Sequence, residues 1–237
     1  GALVSLAPSR QRRRGCLLAG AAAVVRALGA VAVGRLRPDG PPTGVNPRHS
    51  LLVLPFVNVR ADSTSAWLRD GSVNMLSLSL AQWNDLHVVV PERVHDLLEA
   101  GRVGDDGQIG LAEAQRIARR AGVWTVVLGS FERTADSLRL VARVVDVATG
   151  TELERATADG VAGADVRPLF DELAAQVLDL TGAPAEVRVG VTAATTRSVE
   201  AYRNFLRASD LLNHWNLVDA EREFRAALAH DSTFGLA

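Results

Sequence analysis

The sequence predicts a mixed α/β (α+β) domain, built as a mixed sheet with flanking helices and an antiparallel meander. A transmembrane helix is expected before it and a helical repeat hairpin after it. Three observations predict the domain. Residues 51–57 (LLVLPFV) form a continuous apolar run after polar 47–50, the pattern of a strand buried on both faces. Helical apolar stripes then alternate with a short β-branched run up to residue 122. From residue 123 onward, strand-like runs succeed one another across tight turns, as in a meander.

In chain order, residues 1–15 are a basic segment, and 16–34 are apolar or Gly except Arg26, about the length a spanning helix needs. Three readings of 16–34 stay open: a membrane anchor, a signal peptide cleaved at Ala30-Val31-Ala32, and an Ala-rich amphipathic or soluble helix. If it is an anchor, the flanking arginines place the chain beyond residue 35 outside the cytoplasm. Residues 35–49 are a Pro/Gly linker. The domain proper is expected over 50–183. After the first strand, Asp62 to Ser65 offer N-caps to a helix whose stripe is Val73, Leu76, Leu80 and Trp83. A second strand, 86–90, stops at Pro91. A short helix carries Val94, Leu97 and Leu98 and ends at Gly101. A Gly-punctuated loop leads to a helix over 111–121 with Gly122 at its C′ position. Three strands come next, 123–131, 138–144 and 152–158, then a helix with Val166, Phe170, Leu173 and Val177. Residues 184–198 are a connector, with one further strand possible at 187–191. Two helices occupy 199–237, the second over 218–230.

Composition bounds the function. The 237 residues are 48% hydrophobic with mean hydropathy +0.11, enough for a packed core. Residues 1–50 hold eight arginines against Asp39, while the net charge is −1, so the rest carries −8. A basic head on an acidic body argues against nucleic acid. Cys16 is the only cysteine, so no internal disulfide forms and a cysteine-based zinc site is disfavoured. The chain begins at Gly1 rather than Met and stops in mid-pattern, as a fragment would.

The runs LLVLPFVN (51–58), Leu68-Arg69-Asp70-Gly71 and LHVVVPERV (86–94) resemble the TolB amino-terminal-like domain of bacterial signalling proteins. So do ARRAGVWTVVLGSFER (118–133), with Gly129, and LRLVARVVDVATGTEL (138–153), with its turn at Asp146, Thr149 and Gly150. The resemblance spans about 50–181. The chain departs from it at Ser72-Val73-Asn74, where relatives often carry acids. Ala220, Phe224 and Ala227, spaced by four and three, resemble a tetratricopeptide repeat, although Ser232 stands where the repeat usually has Pro. The resemblance implies a membrane-anchored signalling protein, often one following a serine/threonine kinase domain.

No catalytic signature is present: Gly-x-Ser-x-Gly, a phosphate loop and His-Glu-x-x-His are all missing, and the chain has no Lys. The five histidines are scattered and read as ordinary surface or core residues, with an approach of His87 to His95 as the alternative. Asp70-Gly71 reads as a feature of a helix start, and Asp105-Asp106-Gly107 as a solvated turn. Trp215 reads as a loop cap or as part of a peptide groove. Arg12-Arg13-Arg14 sets topology, with a twin-arginine signal as the weaker alternative. The expectation is therefore a non-catalytic, membrane-tethered interaction module with no cofactor or metal. Its partner would be a protein or peptide, its membrane contact the N-terminal helix. The alternatives are the tail of a receptor-type kinase and an exported envelope protein with a cleaved signal peptide.

Overall fold

The computed structural model describes residues 49–83, 85–101, 103, 108–181 and 195–237. All of them belong to one compact unit, residues 41–237. The strands are β1 (Ser50–Val53), β2 (Val57–Asn58), β3 (His87–Val88), β4 (Thr125–Arg133), β5 (Ser137–Asp146) and β6 (Glu152–Val161). The helices are α1 (Leu68–Leu80), α2 (Pro91–Gly101), α3 (Leu111–Ala121), α4 (Arg167–Thr181), α5 (Val199–Asn213) and α6 (Leu217–His230). The sheet order is β3-β1-β4-β5-β6, with β2 beside β4. β1 is parallel to β3 and β4, whereas β4, β5 and β6 form an antiparallel meander, so the sheet is mixed as expected.

The expected first strand is interrupted. Val53 lies opposite Val127 and Val57 opposite Ser130, so four steps on one strand match three on the other. The extra residue is absorbed around Pro55, which has no N–H to lose from a ladder. Phe56 N–H, turned out of the sheet, donates to Arg69 O (3.3 Å) and Ser72 Oγ (3.1 Å) in the first turns of α1. The Phe56 ring lies directly on Gly129, where a Cβ would sit 2.1 Å from a ring carbon. The kink and the bare backbone at Gly129 thus define one another, and they fix where α1 begins.

Alternation along β1 sends Leu51 and Val53 to one face of the sheet and Leu52 and Leu54 to the other. The first face packs on α1 and α4 through Phe56, Met75, Leu76, Phe131, Phe170 and Leu173. The second packs on α2 and α3 through Leu52, Leu54, Val94, Ile117, Val126 and Leu128. Asp62 caps a 3₁₀ turn (Ser63–Ser65) rather than α1 itself, whose N-cap residue, Trp67, makes no side-chain capping bond. In the β5–β6 turn the Asp146 carboxylate accepts from Thr149 N (2.7 Å) and Oγ1 (2.9 Å), and Gly150 takes φ +75°. On the outer edge of β6, Gln176 of α4 donates to Thr157 O (2.8 Å) and accepts from Thr157 N (3.0 Å).

The hairpin α5–α6 is joined to this body by a polar clamp. Arg167, 1% exposed, opens α4. Its guanidinium binds both oxygens of Asp165, donates to Thr196 O just before α5, and lies 5.5 Å from the Tyr202 ring centroid. Thr196 Oγ1 in turn donates to Asp231 at the end of α6. Burial works to raise the Asp165 carboxyl, but the Arg167 hydrogen bond and charge outweigh it and hold the group below its ordinary value. Burial pushes the Tyr202 phenol up. Phe205, Phe224 and Phe234 fill the hairpin, Phe205 lying 5.2 Å from Phe234 and 6.1 Å from Phe224 between ring centroids.

Among the described residues no helix is long and apolar enough to cross a membrane. The expected transmembrane helix over 16–34, the linker over 35–48 and the further strand at 187–191 lie outside the described residues.

Candidate functional site

A cavity of about 690 Å³ forms a cleft between α1, α2 and α5. That volume is in the range of ligand sites. Its floor is apolar and close-packed. Gly71 sits in the first turns of α1, where an added Cβ would lie 3.2 Å from the Trp67 ring and 3.3 Å from Leu206 of α5. The missing side chain is therefore where body and hairpin approach closely. Val73, Val94 and Leu206 continue the floor.

The walls are polar. At one end the Arg203 guanidinium stacks 5.4 Å from the Trp67 ring centroid, and Arg69 lies 3.9 Å from Asp70. At the other end the His95 and His214 rings meet edge to face, 5.2 Å apart. Each lies four residues from a carboxylate on its own helix. Glu99 Oε1 is 3.3 Å from His95 Nε2 but outside hydrogen-bonding geometry, which leaves that buried nitrogen without a hydrogen bond. His214 Nδ1 lies 2.8 Å from Asp210 O and 3.4 Å from its carboxylate. No group of three or more His, Cys, Asp or Glu is arranged to hold a metal among the described residues.

The residues singled out from sequence fall in three places. Asp70 and Gly71 lie in the first turn of α1 and line the cleft. Gly129, Asp146 and Gly150 shape the sheet, away from it. Ala220 and Ala227 are buried in the hairpin, with Phe224 half-buried between its helices. Two readings are narrowed. Trp215, with φ 58°, is 84% exposed in the loop between α5 and α6 and lines no part of the cleft, so its groove reading falls and its loop reading stays; the indole in the cleft is Trp67. His95 meets His214 rather than His87. Sequence reasoning missed Arg203 and His214 in this role. The available signal was the polar stripe Arg203, Arg207, Asp210 and His214, spaced four, three and four on one helix face.

No family model matches the chain, and no curated protein matches it. Solved structures do. The LpoB C-terminal domain from Salmonella enterica is 18% identical, covering 50% of this chain and 86% of its own, with a TM-score of 0.40. Lipoprotein GNA1162 from Neisseria meningitidis is 18% identical, covering 56% and 97%, at 0.39. TolB from Acinetobacter baumannii is 16% identical, covering 62% of this chain and 31% of its own, at 0.40. Likenesses this distant carry no functional argument. They correct the family reading made from sequence: TolB is one distant neighbour among several, and none of those named is a kinase or a tetratricopeptide protein. The kinase-associated repeat reading falls with it, and no described helix is long and apolar enough to cross a membrane, the 16–34 stretch lying outside the described residues.

Proposed function

We propose that this chain is a non-catalytic, protein-binding module of an exported envelope protein, and that its partner docks in the cleft between α1, α2 and α5. The cleft carries the reading. It joins an apolar floor to polar groups converging from three helices, the composition of a recognition site. Its far wall belongs to the hairpin, and the Arg167 clamp holds that wall at a fixed distance from the body. Preorganisation of this kind lowers the entropic cost of binding. Export is supported by the sequence, where Arg12-Arg13-Arg14 precede an apolar stretch containing Ala30-Val31-Ala32.

The test places a photo-reactive amino acid at Asn74 in the cleft and, as a control, at Asp136 in the β4–β5 turn, in the full chain in its producing cells. One discrete protein adduct from Asn74 alone, identified by mass spectrometry, is expected. No adduct, or the same adducts from both positions, overturns the docking reading. Mass spectrometry of the mature amino terminus checks export: cleavage after Ala32 is expected, and an intact basic head rejects the exported form.

A further inference from the structure

We infer that the cleft selects a short extended segment of its partner carrying one acidic and one basic side chain three to four residues apart. This rests on the docking reading and adds its charge rule. α5 lines the cleft lengthwise and presents Arg203 and Asp210 on one face. At 1.5 Å of rise per residue these two lie about 10 Å apart along the helix. Among the described residues that line the cleft, the Arg203 end holds Arg203, Arg69 and Asp70; Asp165, whose carboxyl Arg203 also helps to lower, is bound on both oxygens by Arg167. The Arg203 guanidinium carbon lies over the Trp67 ring, 5.4 Å from its centroid, and both residues line the cleft.

The other end holds two largely exposed carboxylates, Glu99 and Asp210, beside the imidazoles of His95 and His214. Arg207 stands between the ends, but its guanidinium is 3.0 Å from Glu223 on α6 and is drawn toward the hairpin. The cleft is thus positive at one end and negative at the other. An extended chain advances about 3.3 Å per residue, so three residues span the 10 Å between the poles, and a long basic side chain extends this to four. Small apolar side chains between the two charges would meet Val73, Val94 and Leu206. Charge placement of this kind sets register and rejects wrong partners more than it adds affinity.

The test is a titration of the ¹⁵N-labelled full chain with capped five-residue peptides. One has aspartate first and lysine last around Ala-Gly-Ala, and a second has the reverse order. Others carry two aspartates, two lysines or two serines at the ends. At least one mixed-charge peptide should shift resonances of α1, α2 and α5, and bind about fivefold or more tightly than the uniform ones. Arg203→Glu should remove that preference and favour the two-lysine peptide; Asp210→Lys should favour the two-aspartate peptide. Equal binding of all peptides, or no response to either substitution, overturns the charge rule. So do cleft resonances that move with protein concentration alone, because a second copy would then be the occupant. An Asn74 adduct together with indifferent peptides leaves the docking reading standing and removes only this inference.

Discussion

The body and the hairpin are held together by different physics. The sheet and its helices close on two apolar layers, and one close fit within them, Phe56 on Gly129, leaves no room for a single methyl group. The hairpin shares the first of these layers through Tyr202 and Leu206, but its orientation is set by directional bonds from one buried guanidinium. Apolar contact is non-directional and sets how strongly elements adhere. Hydrogen bonds and ion pairs are angular and set where an element points. A cleft between two units needs the second kind of bond, because its width is a matter of angle.

Substitutions can break this comparison at its ends. Gly129→Ala drives a methyl into the Phe56 ring and should cost more than about 3 kcal/mol, lowering the thermal midpoint of the whole domain. Arg167→Met should cost about 3 kcal/mol, unevenly spread, because it leaves Asp165 without its partner. Hydrogen exchange should then show α5 and α6 losing protection while β4 and β5 keep theirs. Equal loss in both regions would mean that the clamp is no separate attachment. Gln176→Ala removes two edge bonds and should cost about 1 kcal/mol, with faster exchange at the Thr157 amide.

The smallest effect concerns acid. The Ser65 hydroxyl bond foremost, with Thr64 N–H and Arg133, outweighs burial and lowers the Asp62 carboxyl from 3.8 to about 2. A depressed carboxyl contributes stability above its unfolded value, and that contribution fades as pH falls toward the folded value. Asp62→Asn should therefore flatten the loss of stability between about pH 4 and pH 2, read as urea midpoints against pH.

Much of the body is legible in the sequence because its signals are local. Gly122 reads as a helix C′ residue and takes φ 75° at the end of α3. The alternation Leu138, Leu140, Ala142, Val144 appears as the buried face of β5. The break at Pro55 escapes the reading of one continuous strand, although a proline inside an apolar run is the usual mark of one. The cleft is not legible, because its members come from residues 55 to 103 and 203 to 214, and nothing local marks their meeting. Arg203, Asp210 and His214 read as an ordinary solvated helix face. Arg167 carries no local signal, since only the folded chain places Asp165, Thr196 and Tyr202 around it. Trp215 draws attention as a loop aromatic, while Trp67 looks like part of an unremarkable helix start.

The side chain of Gln176 has a wider consequence. An unpaired outer strand is an open template on which a stray chain can crystallise as the next strand. By bonding both backbone groups of Thr157, one amide group interrupts that template in the middle of β6.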